Sequence, residues 1–414
     1  MQIERVTATP GVAGFFFDDQ AAIRDGAAPD GFVYDGSPVT DGYQEIREPG
    51  EALLIAVKTS DGQTHQGDCA AVQYSGVGDR DPLFRAAEHA PVVNEAVADA
   101  LVGRDAAAFA ANVDAALTAA DDATDDTAHT ALRYGVSQAL LATAAAAQGT
   151  TRTRVLASAV GTEPVIEPVP VFGQSGDDRR RGAEKMLVKH VPVLPHGLFN
   201  AVSKVGTSGE RLREYLSWLS DRADELGSPG YTPRFHVDVY GIIGDLFGPP
   251  YDRAAVVDYF ADLRTAAAPY PLQIEGPVDA GDRASQISAM GELRDGLADA
   301  GVNVDIVADE WCDDRDDVAA FVDAGAADVV QVKTPDLGEL RESARAVRDC
   351  AGTDSRAYLG GTCNETTVSA RACAHVALAT GAAQLLAKPG MGFDEGYAVV
   401  TNEMRRTLAR HRDR

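Results

Sequence analysis

RFHVDVYG (234–241), PLQIEGP (271–277), VDIVADEW (304–311) and VVQVKTPD (329–336) share one grammar: a short apolar, β-branched run that closes on polar or charged residues. Such runs read as strands. Asp238, Glu275, Asp309 with Glu310, and Gln331 with Lys333 stand at their C-terminal ends. Asp238, Glu275 and Asp309 are separated by 37 and 34 residues, which is the period of one βα unit. Working outward, further β-rich runs at 169–172, 185–189, 357–359 and 384–387 alternate with helical stretches at 209–226, 254–268 and 283–300. Repeated βα units imply a parallel sheet, and about eight of them favour a closed TIM-type (β/α) barrel over an open sheet. No G-x-G-x-x-G follows the first of these strands, which argues against a dinucleotide fold. Ahead of the repeat, 52–59 reads as a strand closed by the Asp61-Gly62 turn, and 82–149 is alanine-rich and helical. Leu132, Val136, Leu140 and Ala144 recur at helical spacing, Gly149 is a stop, and the acidic run 121–126 reads as a helix–helix connection. The first third is therefore an α+β domain.

The C-terminal ends of barrel strands form the catalytic face. One strand-end acid in a chain with 43 aspartates is usually a cap or a solvated residue. Three in barrel register, each following an apolar run, call for a cation, because burying unpaired carboxylates is costly. Oxygen-only ligation suits Mg²⁺ better than zinc. Lys333 is one of only six lysines. Beside a divalent cation its pKa is expected to fall, making it a base; the alternatives are a structural partner of Asp309 and a Schiff-base lysine. His196, in VLPHG after the run 185–189, lies across the barrel from Lys333 and is a candidate second acid or base, although a lone histidine is more often structural. His236 alternates with Asp238 and shares its face, as a packing or supporting residue. His190 reads as surface or barrel filling. FGQSGDD, with Gln174 and Ser175, and GGTCNET, with Thr362, Cys363 and Asn364, are ordinary turns or, at the catalytic face, substrate clamps. Cys363 has no evident histidine partner and is not read as a nucleophile.

The formal net charge of −26 is spread along the chain. Such a surface repels nucleic acid and anionic membranes, and it points to a high-salt cytoplasm where self-repulsion is screened. Five cysteines without a C-x-x-C pair fit a reducing compartment better than a disulfide framework or a structural zinc site. The longest uncharged stretch, 134–151, is shorter than a membrane span.

The segments GFFFDDQAAI, GDCAAVQYSG, GDRDPLF, FGQSGDDR, VLPHG, FHVDVYG, IEGPVD, VADEWC, QVKTPDLG, GGTCNET and LAKPGMGFDEG, in that order from near residue 10 to near residue 400, resemble methylaspartate ammonia-lyase. The resemblance implies an enolase-superfamily fold: an N-terminal α+β capping domain (1–165), a modified (β/α) barrel (166–390) and a C-terminal segment (391–414) packing back on the cap. It implies reversible elimination of ammonia from (2S,3S)-3-methylaspartate to give mesaconate, with Lys333 taking the C3 proton and Mg²⁺ stabilising an enediolate. In it Asp238, Glu275 and Asp309 resemble Mg²⁺ ligands, His196 the acid or base on the opposite face, and Gln174, Gln331, Thr362 and Cys363 substrate-binding positions. It further implies a cytoplasmic homodimer that also responds to a monovalent cation such as K⁺, and places Leu386 with Cys363 around the substrate methyl group. Another enolase-superfamily lyase or isomerase, a Schiff-base barrel lyase and a non-catalytic scaffold are the rival readings.

Overall fold

The computed structural model describes residues 1–74, 80–124, 126–248, 251–389 and 392–412, so parts of GDCAAVQYSG, GDRDPLF, LAKPGMGFDEG and the acidic run 121–126 lie outside the described residues. Five strands build the first third: β1 (Ile3–Asp18), β2 (Ala28–Asp30), β3 (Val33–Asp35), β4 (Arg47–Thr59) and β5 (Thr64–Ala70). β1, β4 and β5 form an antiparallel sheet in the order β1-β4-β5, and β2 pairs with β3. Along β4, Leu53, Ile55 and Val57 are buried while Leu54 and Lys58 are exposed, the period-two signature of a sheet with one face on a core. The helix Thr130–Ala147 covers that face. It approaches closely because Gly67 and Gly135 meet where neither leaves room for a Cβ.

Eight parallel strands then close a barrel: β6 (Val171–Phe172), β7 (Val193–Leu198), β8 (Arg234–Asp238), β9 (Leu272–Glu275), β10 (Asp305–Ala308), β11 (Val329–Val332), β12 (Arg356–Leu359) and β13 (Gln384–Leu386). They stand around the ring in chain order, β13 returning to pair with β6. Phe172, Val193, Val307, Val329, Tyr358 and Leu386, one each from six of these strands, form a separate buried cluster that fills the barrel.

One strand differs from the sequence expectation. The run 185–189 is not a strand but the end of the helix Arg179–Val188. Its Ala183, Met186 and Leu187 are buried on one face, at helical spacing. The strand comes later, at β7, so His196 lies on the strand itself rather than after it. The acidic run 121–126 also begins inside a helix, Phe109–Thr124.

The first third sits on the barrel's C-terminal rim. Gly14 N–H donates to Asn364 O (3.2 Å), and Thr366 Oγ1 donates to Asp68 Oδ2 (2.6 Å). Arg80 pairs with Asp313 (2.8 Å), Asp336 (3.0 Å) and Glu310 (3.6 Å). Glu310 is thus engaged by a clamp from the cap. Behind the rim Lys388 and Glu365, both fully buried, pair at 3.2 Å, and Tyr134 O–H donates to the same carboxylate (3.1 Å). Removing one member of a buried pair leaves the other charge uncompensated. Lys388→Met is therefore expected to cost ~3–5 kcal/mol, read as a lowered denaturation midpoint, with part recovered in Lys388→Met/Glu365→Gln. No loss in the single variant would mean that the pair contributes nothing to cohesion.

Among the described residues no helix is long and apolar enough to cross a membrane. The net charge of −26 leads us to expect that stability depends on salt. At ~1 M salt the screening length falls to about 3 Å, so the unfolding midpoint is expected to climb as KCl rises from dilute to molar. Full stability in dilute buffer would contradict salt adaptation.

Candidate active site

The order of strands dictates the order of side chains around the rim. His196 comes from β7, Asp238 and Glu275 end β8 and β9, Asp309 follows β10 and Lys333 follows β11. Thr362 and Cys363 occupy the turn after β12, Leu386 ends β13, and Gln174 lies just past β6. β7 and β11 are four strands apart in a ring of eight. His196 and Lys333 therefore stand on opposite walls, with the three acids on the arc between them.

One atom each of His196, Asp238 and Glu275 lies within 4.8 Å of the others. His196 Nε2 is 3.6 Å from Asp238 Oδ2. Asp309 is turned instead toward Lys333 Nζ, at 2.9 Å. Asp238 and Glu275 are almost wholly buried. Burial, and then the charges of Glu275 and Asp309, push Asp238 well above the ordinary range; burial and then Asp309 do the same to Glu275, with Lys333 and Gln331 opposing. Asp309 is raised too, by burial, with Lys333 opposing. Burial disfavours the charge on Lys333, but Asp309, Glu310 and Asp336 outweigh it and hold the ammonium above the usual lysine range. His196 is pushed down to about 3, mainly by burial and then by His236 and Lys333. It is a neutral imidazole near pH 7. Its Nδ1–H donates to Gly197 O (3.0 Å), which leaves the lone pair on Nε2, the atom facing Asp238.

The acids are braced from inside the barrel. Gln384 donates to His236 Nδ1 (2.8 Å), so the His236 proton sits on Nε2 and is given to Glu275 Oε2 at 2.8 Å. Gln331 donates to the other oxygen of Glu275. The His236 ring stacks on Phe172, with centroids 4.1 Å apart. Gln331 is thereby fixed at the site, and His236 is the supporting residue its alternation with Asp238 suggested. Gln384 was not singled out in the sequence; its only signal is a polar side chain at an inward position. Gln174 donates to Ala387 O (3.1 Å), and Thr362 Oγ1 accepts from Asn364 N–H (3.3 Å). Cys363 is pushed up to about 11 by burial and the charge of Asp18, so it is a neutral thiol and not a nucleophile. Asp18 itself is held by Arg47 (2.6 Å) and Gln73 (2.6 Å) from the cap, an arrangement without a motif in the sequence. His190 is exposed, away from the rim.

His196 (φ 61°), inside β7, and Tyr240 (φ 50°) and Trp311 (φ 68°), just past β8 and β10, adopt the left-handed region as non-glycine residues. Such strain collects where a fold must aim side chains. The charge of two other carboxylates on the buried Asp238, and a buried Gln331 Oε1 without a hydrogen-bond partner, mark a place suited to positive charge. The carboxylate oxygens of Asp238 and Glu275 are donors of the kind Mg²⁺ takes, while Asp309, on the next strand, is paired with Lys333.

A cap lying over the C-terminal rim of a closed parallel barrel, with acids at the ends of three consecutive strands and a histidine and a lysine on the two flanks, is the arrangement of a barrel enzyme. Sequence comparison then narrows the class. Residues 1–161 and 164–413 match the family models "Methylaspartate ammonia-lyase N-terminus" and "Methylaspartate ammonia-lyase C-terminus". A methylaspartate ammonia-lyase of Haloarcula marismortui is 67% identical over 99% of this chain and 97% of its own. The crystal structure of the beta-methylaspartase of Clostridium tetanomorphum, an Mg complex, covers 100% of both chains at 45% identity and a TM-score of 0.93. That of the Citrobacter amalonaticus methylaspartate ammonia lyase containing (2S,3S)-3-methylaspartic acid covers 100% of both chains at 47% identity and a TM-score of 0.95. The chain belongs to the methylaspartate ammonia-lyase family, and it is a carbon–nitrogen lyase.

Proposed function

We propose that this protein eliminates ammonia from (2S,3S)-3-methylaspartate, giving mesaconate, with Lys333 as the base at C3, His196 as the acid or base on the opposite face, and Mg²⁺ held by Asp238, Glu275 and Asp309. The observation that carries the reading is the placement of His196 and Lys333 on opposite walls with the three acids between. When bound, Mg²⁺ supplies Lewis-acid neutralisation of the charge that builds on the substrate carboxylate next to C3. The side chains do the rest. Asp309 is the partner that holds the Lys333 proton; with Asp309 engaged by the cation instead, Lys333 would release that proton to solvent, and the neutral amine would take the one on C3. Collapse of the resulting carbanion toward C2 breaks the C–N bond, and the electron pair leaves with the amine. Gln174, Gln331, Thr362 and Cys363 ring the substrate; the neutral thiol and hydroxyl offer hydrogen bonds without adding negative charge. Two supporting lines come from relatives: the Clostridium enzyme is an Mg complex and the Citrobacter enzyme contains (2S,3S)-3-methylaspartic acid. A capping domain over residues 1–165, a barrel over 166–390, a C-terminal segment from 391, a homodimer in the cytoplasm and a response to K⁺ belong to the same proposal. A Schiff-base lyase would also use Lys333, but would leave the three acids without a purpose. Borohydride with substrate separates the two: no covalent adduct is expected, and an adduct on Lys333 would overturn the proposal.

Leu386 bears on substrate choice. It is almost buried, in the cluster that fills the barrel. Leu386→Ala is expected to raise the preference for 3-ethyl- over 3-methylaspartate by roughly 10–200-fold in kcat/KM ratio, the worth of one methylene in a pocket. A lower denaturation midpoint with an unchanged ratio would assign Leu386 to packing alone.

A further inference from the structure

The chain carries far more acid than base, yet two arginines converge on one cavity without adequate counter-charge. The cavity, about 120 Å³ in volume, lies at the junction of cap and barrel and is lined by Thr64, His65 and Gln66 of β5, by Arg152, and by Val368 and Arg371. Arg152 opens the helix Arg152–Val160, and Arg371 is on the barrel helix Thr367–Thr380. Among the described residues the Arg152 side chain makes no hydrogen bond and no ion pair. Arg371 reaches only Glu403, at 4.0 Å, and that carboxylate is already taken by His375 (3.1 Å) and Arg406 (3.8 Å). Burial lowers the Arg152 pKa, which Glu403 offsets and Arg371 deepens. His65, on the same wall, is lowered by burial and by Arg152, with Asp61 opposing.

A guanidinium with no hydrogen bond or ion pair of its own among the described residues, facing a second one across a cavity, suits an anion. We propose that this cavity binds a small oxyanion, phosphate or a short carboxylate, between Arg152 and Arg371. Guanidinium forks match both in geometry, through paired charge-assisted hydrogen bonds. Thr64 and Gln66 add neutral polar groups to the lining. The cavity has room for such ions. The bound ion would join β5 to the helix Thr367–Thr380. Asp68 and Thr366 already tie those two elements together (2.6 Å), directly behind the Thr362–Cys363 turn. The site does not depend on the elimination chemistry, since none of its residues reaches the rim acids.

The test is thermal unfolding of the full-length protein in EDTA at constant molar ionic strength set with KCl, titrating inorganic phosphate in one arm and acetate in another. A saturable rise of the midpoint in at least one arm is expected. Phosphate alone would identify an inorganic-oxyanion site, and acetate alone a carboxylate site. In Arg152→Gln/Arg371→Gln the apparent Kd is expected to rise at least tenfold. The more exposed single change Arg371→Gln, which spares the packing of Arg152, is expected to weaken binding in the same direction. No saturable rise in either arm, or the same Kd in the variants, would overturn the proposal.

Discussion

Asp238→Ala, Glu275→Ala and Asp309→Ala are each expected to lower kcat/KM by about 10³-fold or more, and EDTA to abolish turnover until Mg²⁺ is restored. The size follows from the role. Metal neutralisation of a developing charge is worth several kcal/mol, and every ~1.4 kcal/mol is tenfold in rate. The effect should not track stability. Burial pushes all three carboxyls up, and at Asp238 the charges of Glu275 and Asp309 add to it, so in metal-free protein Asp238→Ala relieves repulsion, and its denaturation midpoint is expected to hold or rise. A variant that loses activity and unfolds in parallel would make the acids structural. Full turnover without a divalent cation would remove the metal from the mechanism altogether.

The second large effect divides by stereochemistry. Lys333→Ala is expected to lose about 10²–10⁴-fold, the typical worth of a general base, on the (2S,3S) diastereomer. His196→Ala is expected to lose chiefly the diastereomer of opposite C3 configuration. The reason is placement on β11 and β7, across the ring, together with a neutral His196 whose lone pair faces the site. Deuterium exchange at C3, followed for each variant with each diastereomer, reads each base separately from loss of ammonia. Equal loss of exchange in both variants with both substrates would end the two-sided assignment.

Much of this site is legible in the chain because barrel strands are short and announce their ends. Phe235-His236-Val237-Asp238 alternates faithfully, and the apolar members point to the helices while His236 and Asp238 point inward. The failure at 185–189 has the opposite cause. Met186, Leu187 and Val188 are apolar enough for a strand, but Ala183 and the arginines before them set a helical period that a four-residue window does not see. β7 itself hides behind Pro195 and Gly197, residues that depress strand propensity. What no local pattern carries is pairing at a distance. The Gln384–His236–Glu275–Gln331 chain joins four strands, Arg80 reaches across some 250 residues to Asp336, and the Asp309–Lys333 pair was read only as an alternative to catalysis. The sequence names such residues without saying which will meet.

The most direct test is to incubate the protein with Mg²⁺ and (2S,3S)-3-methylaspartate in molar KCl and follow mesaconate by its absorbance while ammonia is assayed in parallel. The expected result is equimolar mesaconate and ammonia, abolished by EDTA and by Lys333→Ala. Folded, Mg²⁺-loaded protein that releases neither product from methylaspartate would contradict the proposed function.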